Sequence, residues 1–148
     1  PNDNFDLQTS HVLPALLRKF HEAKINNSAT VEVWGSGRPR REFLHVDDLA
    51  DACLYLTCLP KTVYAAHTRP NLSQLNIGTG SDVTIAELAA LISTVVGYEG
   101  EIRYNSEYPD GTDQKLLDVS VVSGLGWNAR IGLREGIEST YRWYLEQL

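Results

Sequence analysis

Residues 74–97 read Q-L-N-I-G-T-G-S-D-V-T-I-A-E-L-A-A-L-I-S-T-V-V-G, and the class of the fold turns on this stretch. Thr84 and Glu87 stand three apart just before an apolar run. At that spacing a threonine oxygen and a glutamate carboxylate each satisfy a backbone N–H that a helix start leaves open. Val83 is placed to pack against Leu88 across the same start, and Gly97 tolerates the left-handed backbone that commonly ends a helix. The spacing predicts a helix to Val96. Ahead of it, Gln74 to Ile77 reads as a short strand ending in Gly78-Thr79-Gly80. A strand, a glycine turn and a capped helix in that order point to an α/β fold.

The same turn could open a dinucleotide-binding loop, since it follows a strand and precedes a helix. Its third glycine, however, is replaced by Val83. The capping box also starts the helix four residues after Gly80, too late for a diphosphate held directly against the helix N-terminus. We read a plain strand-to-helix turn and expect the nicotinamide-binding loop to lie outside this sequence.

Outward from this stretch, helical and strand periodicities alternate. Residues 10–24 form a predicted helix because Val12, Leu13, Leu16, Leu17 and Phe20 share a face, with Ser10 as N-cap and Pro14 early enough to lose no intrahelical bond. Residues 31–34 and 41–46 alternate as strands around Gly35-Ser36-Gly37-Arg38-Pro39-Arg40, a hairpin-like signal that would set Trp34 opposite Arg41. Asp47 or Asp48 caps a helix to about Leu59 whose apolar residues run nearly all round, so burial on more than one side is expected. Residues 60–73 read as a loop or broken segment. A strand around Ile102 to Tyr104 leads to the turn Pro109-Asp110-Gly111. Val121 to Leu125 makes one helical turn, and Leu133 to Leu148 a final amphipathic helix. The sequence carries no repeat, low-complexity tract or clear linker, and it reads as one α/β domain over residues 1–148.

Composition narrows the function. With 148 residues and 43% hydrophobic side chains, the chain is long enough for a real core. A formal charge of −6 argues against broad nucleic-acid binding, which needs a basic surface. No apolar run approaches a membrane span and no signal peptide is visible, so neither membrane nor nucleic-acid partners are expected and a cytoplasmic setting is. The chain starts at Pro1 and contains no methionine, the expectation for a piece of a longer polypeptide. Cys53 and Cys58, five apart, match neither a C-x-x-C nor a zinc pattern and read as buried reduced thiols, with no metal site expected.

Any bound anion must therefore be held by a local cluster. Three polar clusters qualify: N-F-D-L-Q-T-S-H-V-L-P-A-L-L-R-K (4–19), V-W-G-S-G-R-P-R-R-E-F-L-H-V-D-D (33–48) and Y-P-D-G-T-D-Q-K-L-L-D-V (108–119). Taken alone, each side chain in them has an ordinary reading. His11 is a helix-start residue, Arg18 and Lys19 a solvated face, Trp34 a half-buried core aromatic, Arg41 a surface ion pair with Glu42, and Asp110 and Lys115 members of a solvated loop. Helical geometry does separate one pair: Lys19 borders the apolar stripe and can extend inward, whereas Arg18 lies away from it.

The runs S-H-V-L-P-A-L, V-W-G-S-G, R-E-F-L-H-V-D-D-L-A, L-N-I-G-T-G and P-D-G-T followed by K-L-L-D-V resemble, in order and across essentially the whole chain, the GDP-L-fucose synthase family of extended short-chain dehydrogenases/reductases. The resemblance implies the C-terminal substrate-binding portion of an NADP-dependent epimerase/reductase that converts GDP-4-keto-6-deoxy-D-mannose to GDP-L-fucose. Most of the Rossmann domain, the Tyr-x-x-x-Lys pair and an epimerisation cysteine would then lie elsewhere, so the chain alone would be inactive. It further implies that residues 47–59 and 74–80 dock on that cofactor domain, and that the complete enzyme is a homodimer. The positions that match the family assign His11 as the acid partner in epimerisation at C3 and C5, also close to the nicotinamide of NADP. Imidazole suits such a role because it titrates near neutral pH. Lys19, Trp34, Arg41, Asp110 and Lys115 are assigned to the GDP moiety. Two competing readings remain: another extended-family nucleotide-sugar epimerase or reductase, and a GDP-sugar-binding module without chemistry.

Overall fold

The computed structural model describes residues 3–148. In chain order its elements are α1 (Val12–Ile25), β1 (Thr30–Trp34), β2 (Arg40–Glu42), α2 (Val46–Thr57), α3 (Lys61–His67), β3 (Asp82–Thr84), α4 (Ile85–Val96), β4 (Glu101–Asn105), β5 (Gln114–Lys115), α5 (Ser120–Gly124) and α6 (Leu133–Leu145). The chain divides into two compact units. The first comprises residues 1–41, 83–114 and 134–148, the second residues 42–82 and 115–133. The division falls inside β2, β3 and β5, strands of one sheet in the order β3-β2-β5.

In the first unit, β1 pairs in parallel with β4, Thr30 opposite Glu101 and Trp34 opposite Asn105. Parallel neighbours need a long crossover, and α4 lies within it. Alternation along β1 buries Val31 and Val33 and leaves Thr30, Glu32 and Trp34 on the open side. Helices α1 and α4 pack together, burying Leu16, Leu17 and Phe20 of one and Leu88, Ile92 and Val96 of the other. Each such side chain contributes about 1.5–3 kcal/mol on burial. The part-exposed Arg18–Glu22 pair on α1 contributes at most about 0.5 kcal/mol, so the apolar stripe sets the orientation of α1.

The capping box at α4 is present in full. Thr84 Oγ accepts from the Glu87 N–H at 3.0 Å, and the Glu87 carboxylate accepts from the Thr84 N–H at 2.7 Å. The helix ends at Gly97, whose φ is 73°.

The second unit gathers around Ala52, Val122 and Trp127, with Leu44, Tyr55, Ile77 and Val119 packed against them. Buried Asp48 accepts from the Arg130 N–H at 3.1 Å and the Ile131 N–H at 2.9 Å. Trp127 Nε1–H donates to Asp51 Oδ2 at 2.8 Å, and the Tyr55 hydroxyl to the Leu125 carbonyl. Asp48 and Asp51 therefore hold the 127–131 segment against α2.

Several expectations are corrected. No hairpin forms: β1 joins β4, while β2 belongs to the other sheet. The intervening loop is used otherwise, its Gly37 and Pro39 carbonyls accepting from the Ala86 and Ile85 N–H groups at the start of α4. Trp34 and Arg41 accordingly do not face each other across paired strands. The N-cap of α1 is His11, not Ser10, and that of α2 is His45, whose Nδ1 accepts from the Asp47 N–H at 3.2 Å, not Asp47 or Asp48. Residues 60–73 contain α3, and residues 74–77 form no strand, having no strand neighbour among the described residues.

Helix α2 is buried on one side only. Its Val46, Leu49, Cys53 and Leu54 are exposed, Leu54 to 68%. Cys53 and Cys58 are free as expected but exposed rather than buried, because Cys53 lies on that open face and Cys58 caps the helix end. No helix among the described residues is long and apolar enough to cross a membrane.

The reciprocal bonds at α4 should be measurable. Thr84→Ala is expected to cost about 1 kcal/mol, within the 0.5–2 kcal/mol range for losing an N-cap. Thr84→Ser should cost less than half of that, and the two midpoints in urea denaturation check the difference.

Candidate functional site

The open side of β1 carries a group of side chains able to meet a flat, charged ligand. Lys19, reaching from α1, sets its Nζ 4.4 Å from the centroid of the Trp34 ring and donates to the Glu32 carbonyl at 3.2 Å. Tyr108 stacks on the same indole, with centroids 4.5 Å apart and ring planes 13° from parallel. Next along the chain, the Ser36 N–H donates to Asp110 Oδ1 at 2.8 Å and the Ser36 hydroxyl to Asp110 Oδ2 at 2.6 Å. Gly35, at φ +83°, leaves room for this contact, since a β-carbon there would stand 2.5 Å from Asp110 Oδ1. Arg41 donates from Nη1 to the Arg40 carbonyl at 2.7 Å, and its Nη2 lies against Gly111. The Arg40 N–H donates to the Asp113 carbonyl at 2.7 Å. Residues 34–41 and 108–113 thus run side by side.

The charges are tuned by these contacts. Burial pushes the Lys19 amine below its ordinary value, with Glu32 pulling the other way. The Ser36 hydroxyl and then its N–H hold the Asp110 carboxyl below the usual aspartate value, with a smaller contribution from Arg38. An ammonium with three donors, of which Glu32 takes one, can still meet a phosphate. The exposed indole and phenol, 49% and 41% accessible, offer stacking area.

Of the residues singled out in the sequence, Lys19, Trp34, Arg41 and Asp110 are brought together in the first unit. His11 is in that unit too, exposed at the N-cap of α1, its ring capping nothing. It precedes Lys19 by eight residues, roughly 12 Å along a helix axis. Lys115 belongs to the second unit, exposed in β5.

Glu42, in the second unit, bears on the glycine turn. Its Oε1 accepts from the Thr79 N–H at 2.6 Å, the Gly80 N–H at 2.7 Å and the Thr79 hydroxyl at 3.2 Å, and its Oε2 from the Leu117 N–H at 3.0 Å. The donors a diphosphate would need are thus held by a carboxylate of the chain itself.

The family model described as "NAD dependent epimerase/dehydratase family" matches residues 1–78. The chain belongs to this family. Among relatives, GDP-L-fucose synthase of Escherichia coli (strain K12) is 53% identical over 146 residues, covering 99% of this chain and 46% of that protein. GDP-L-fucose synthase 1 of Arabidopsis thaliana is 51% identical over 148 residues, covering 100% and 43%. Among solved structures, a GDP-mannoheptose C4 reductase from Campylobacter jejuni with NADP bound superposes at a TM-score of 0.80 with 36% identity, over 97% of this chain and 49% of that one. The chain thus spans about half the length of these relatives.

Tyr108 and Ser36 were not singled out from the sequence, although both complete the group. Ser36 sits in a glycine-rich loop where serine is commonplace. Tyr108 directly precedes Pro109-Asp110-Gly111, and an aromatic beside a polar turn is the signal that could have marked it.

Because Asp110 titrates lower folded than unfolded, its tie to Ser36 contributes stability above the ordinary aspartate range and loses it as pH falls through the depressed folded value. In Ser36→Ala the carboxyl should titrate closer to an ordinary aspartate, so that the loss begins at higher pH. Carboxyl-carbon NMR titration of the two proteins checks this.

Proposed function

We propose that this chain is the nucleotide-sugar-binding part of an NADP-dependent epimerase/reductase acting on GDP-4-keto-6-deoxy-D-mannose and releasing GDP-L-fucose. One observation carries the reading. Lys19 and Trp34 meet on one ring while Arg41 and Asp110 lie on the adjoining 34–41 and 108–113 segments, four assigned nucleotide contacts drawn together from three distant stretches. The likeness of this chain along its length to parts of two GDP-L-fucose synthases supports the same choice of substrate.

In this reading Trp34 offers its ring to the base or ribose. Lys19 and Arg41 face the diphosphate, Arg41 with a planar fork and Lys19 as a point charge, while Lys115 is assigned to phosphate by its position in the family motif alone. Asp110, already an acceptor for Ser36, has lone pairs left for a ribose or base donor. When bound, the reduced cofactor, NADPH, would supply the hydride for C4 of the sugar. Of this chain, His11 is the residue assigned to the cofactor, and the Thr79 and Gly80 N–H groups are engaged by Glu42. His11, exposed and with a ring that caps no helix N–H, is free to turn toward a substrate and deliver a proton at the sugar carbon whose other face meets a base held outside this chain.

The exposed apolar face of α2 and the unpaired run at 74–77 fit surfaces that meet a cofactor domain, and the complete enzyme is read as a cytoplasmic homodimer formed outside this chain.

GDP binding to the full-length protein tests the site. Arg41→Ala should weaken it by about 1.5–3 kcal/mol, the scale of a charge-assisted hydrogen bond, and affinity should fall with added salt. Unchanged calorimetric affinity in Arg41→Ala and Trp34→Ala would remove both residues from the site.

His11 is tested by separating epimerisation from reduction. His11→Asn keeps hydrogen bonding but cannot donate a proton at neutral pH, and loss of a positioned acid costs about 10²- to 10⁴-fold in rate. GDP should still bind, while deuterium incorporation from heavy water at C3 and C5 slows or stays incomplete. Normal exchange and normal fucose formation would return His11 to a helix-start residue.

A further inference from the structure

The indole assigned to the nucleotide already carries a ring. Tyr108 and Trp34 are 4.5 Å apart between centroids and nearly parallel, the geometry a base adopts on an aromatic side chain. Non-bonded carbons touch at about 3.5–4.0 Å, so the two rings are in contact and no base fits between them. The Lys19 ammonium lies on the same indole. Of these two occupants, the ammonium is the one a diphosphate would keep, and the phenol is the one a base would duplicate.

The surroundings of Tyr108 let it leave. Residues 106–118 are exposed throughout, and the Tyr108 N–H makes only a long bond, 3.3 Å, to the Asn105 carbonyl. Two residues on, Asp110 is fastened to Ser36 by two short hydrogen bonds. Rotation about the Tyr108 side chain therefore clears the indole without releasing the segment that carries Asp110.

We propose that Tyr108 is an internal competitor for the nucleotide base: it occupies the base's place on Trp34 in the free protein and yields that place on binding. This rests on the nucleotide-site reading above. An aromatic pair of this kind holds itself closed by a factor of about 2 to 12. Tyr108 thus lowers nucleotide affinity by that factor, and by stacking again it favours release of the product.

The test is calorimetric titration of the full-length protein with GDP and, separately, with inorganic pyrophosphate, which has the charges but no base. Tyr108→Ala should bind GDP about 2- to 12-fold more tightly than the unsubstituted protein and pyrophosphate no more tightly. Tyr108→Phe keeps the stack and should match the unsubstituted protein with both ligands. GDP affinity that falls or stays the same in Tyr108→Ala, or a gain shared equally by pyrophosphate, overturns the competitor role while leaving the nucleotide site standing. Absence of GDP binding to the unsubstituted protein would overturn the site itself and this inference with it.

Discussion

Successive side chains of a pleated strand point to opposite faces, and in β1 that rule acts on five residues with consequences for everything around them. Val31 and Val33 go inward on the side packed by α1, and Glu32 and Trp34 are then obliged to face outward. Once the indole is outside, Lys19 can lie over it and Tyr108 can stack on it. A register slip of one residue would bury Trp34 and expose the valines, dismantling core and site together. The same alternation therefore fixes both the buried valines and the outward position of Trp34.

The elements written in local chemistry were legible. The reciprocal Thr84–Glu87 bonds, the stop at Gly97, the stripe of α1 and the strand at β4 all appear within a residue or two of expectation. What local chemistry does not encode was missed. Two strands six residues apart, divided by glycines and a proline, look like a hairpin until one sees that β4 offers β1 a longer parallel partner and that the loop carbonyls cap α4. The run at 74–77 has strand composition but no neighbour among the described residues, and composition alone cannot hold a ladder open. In the candidate site, Lys19, Trp34, Arg41 and Asp110 stood in runs that the sequence marks out, whereas Tyr108 and Ser36 join the group only because distant segments bring them to Trp34 and Asp110.

Glu42 illustrates how an apparent anion site can be closed from within. Consecutive N–H groups in a glycine turn attract negative charge, and here a carboxylate of the chain takes that position with four donors around it. Arg41 and Glu42 were candidates for an ordinary surface ion pair. Instead the guanidinium rests on Gly111 and the carboxylate on backbone donors, so neighbouring residues of opposite charge serve separate segments.

The pairing of β1 with β4 also bears on how the chain acquires its fold. Thr30 must find Glu101, a partner roughly 70 residues later, and the stretch between them includes all of α2 and α3. Entropic loop-closure cost grows only slowly with length, by about 0.6 kcal/mol per doubling, so the finished structure is little weakened by the detour. The rate is another matter, because contacts of high sequence separation form late. During synthesis the ribosome exposes β1 well before β4 emerges, and over that interval an unpaired strand edge with two valines on one face must be kept from pairing with anything else.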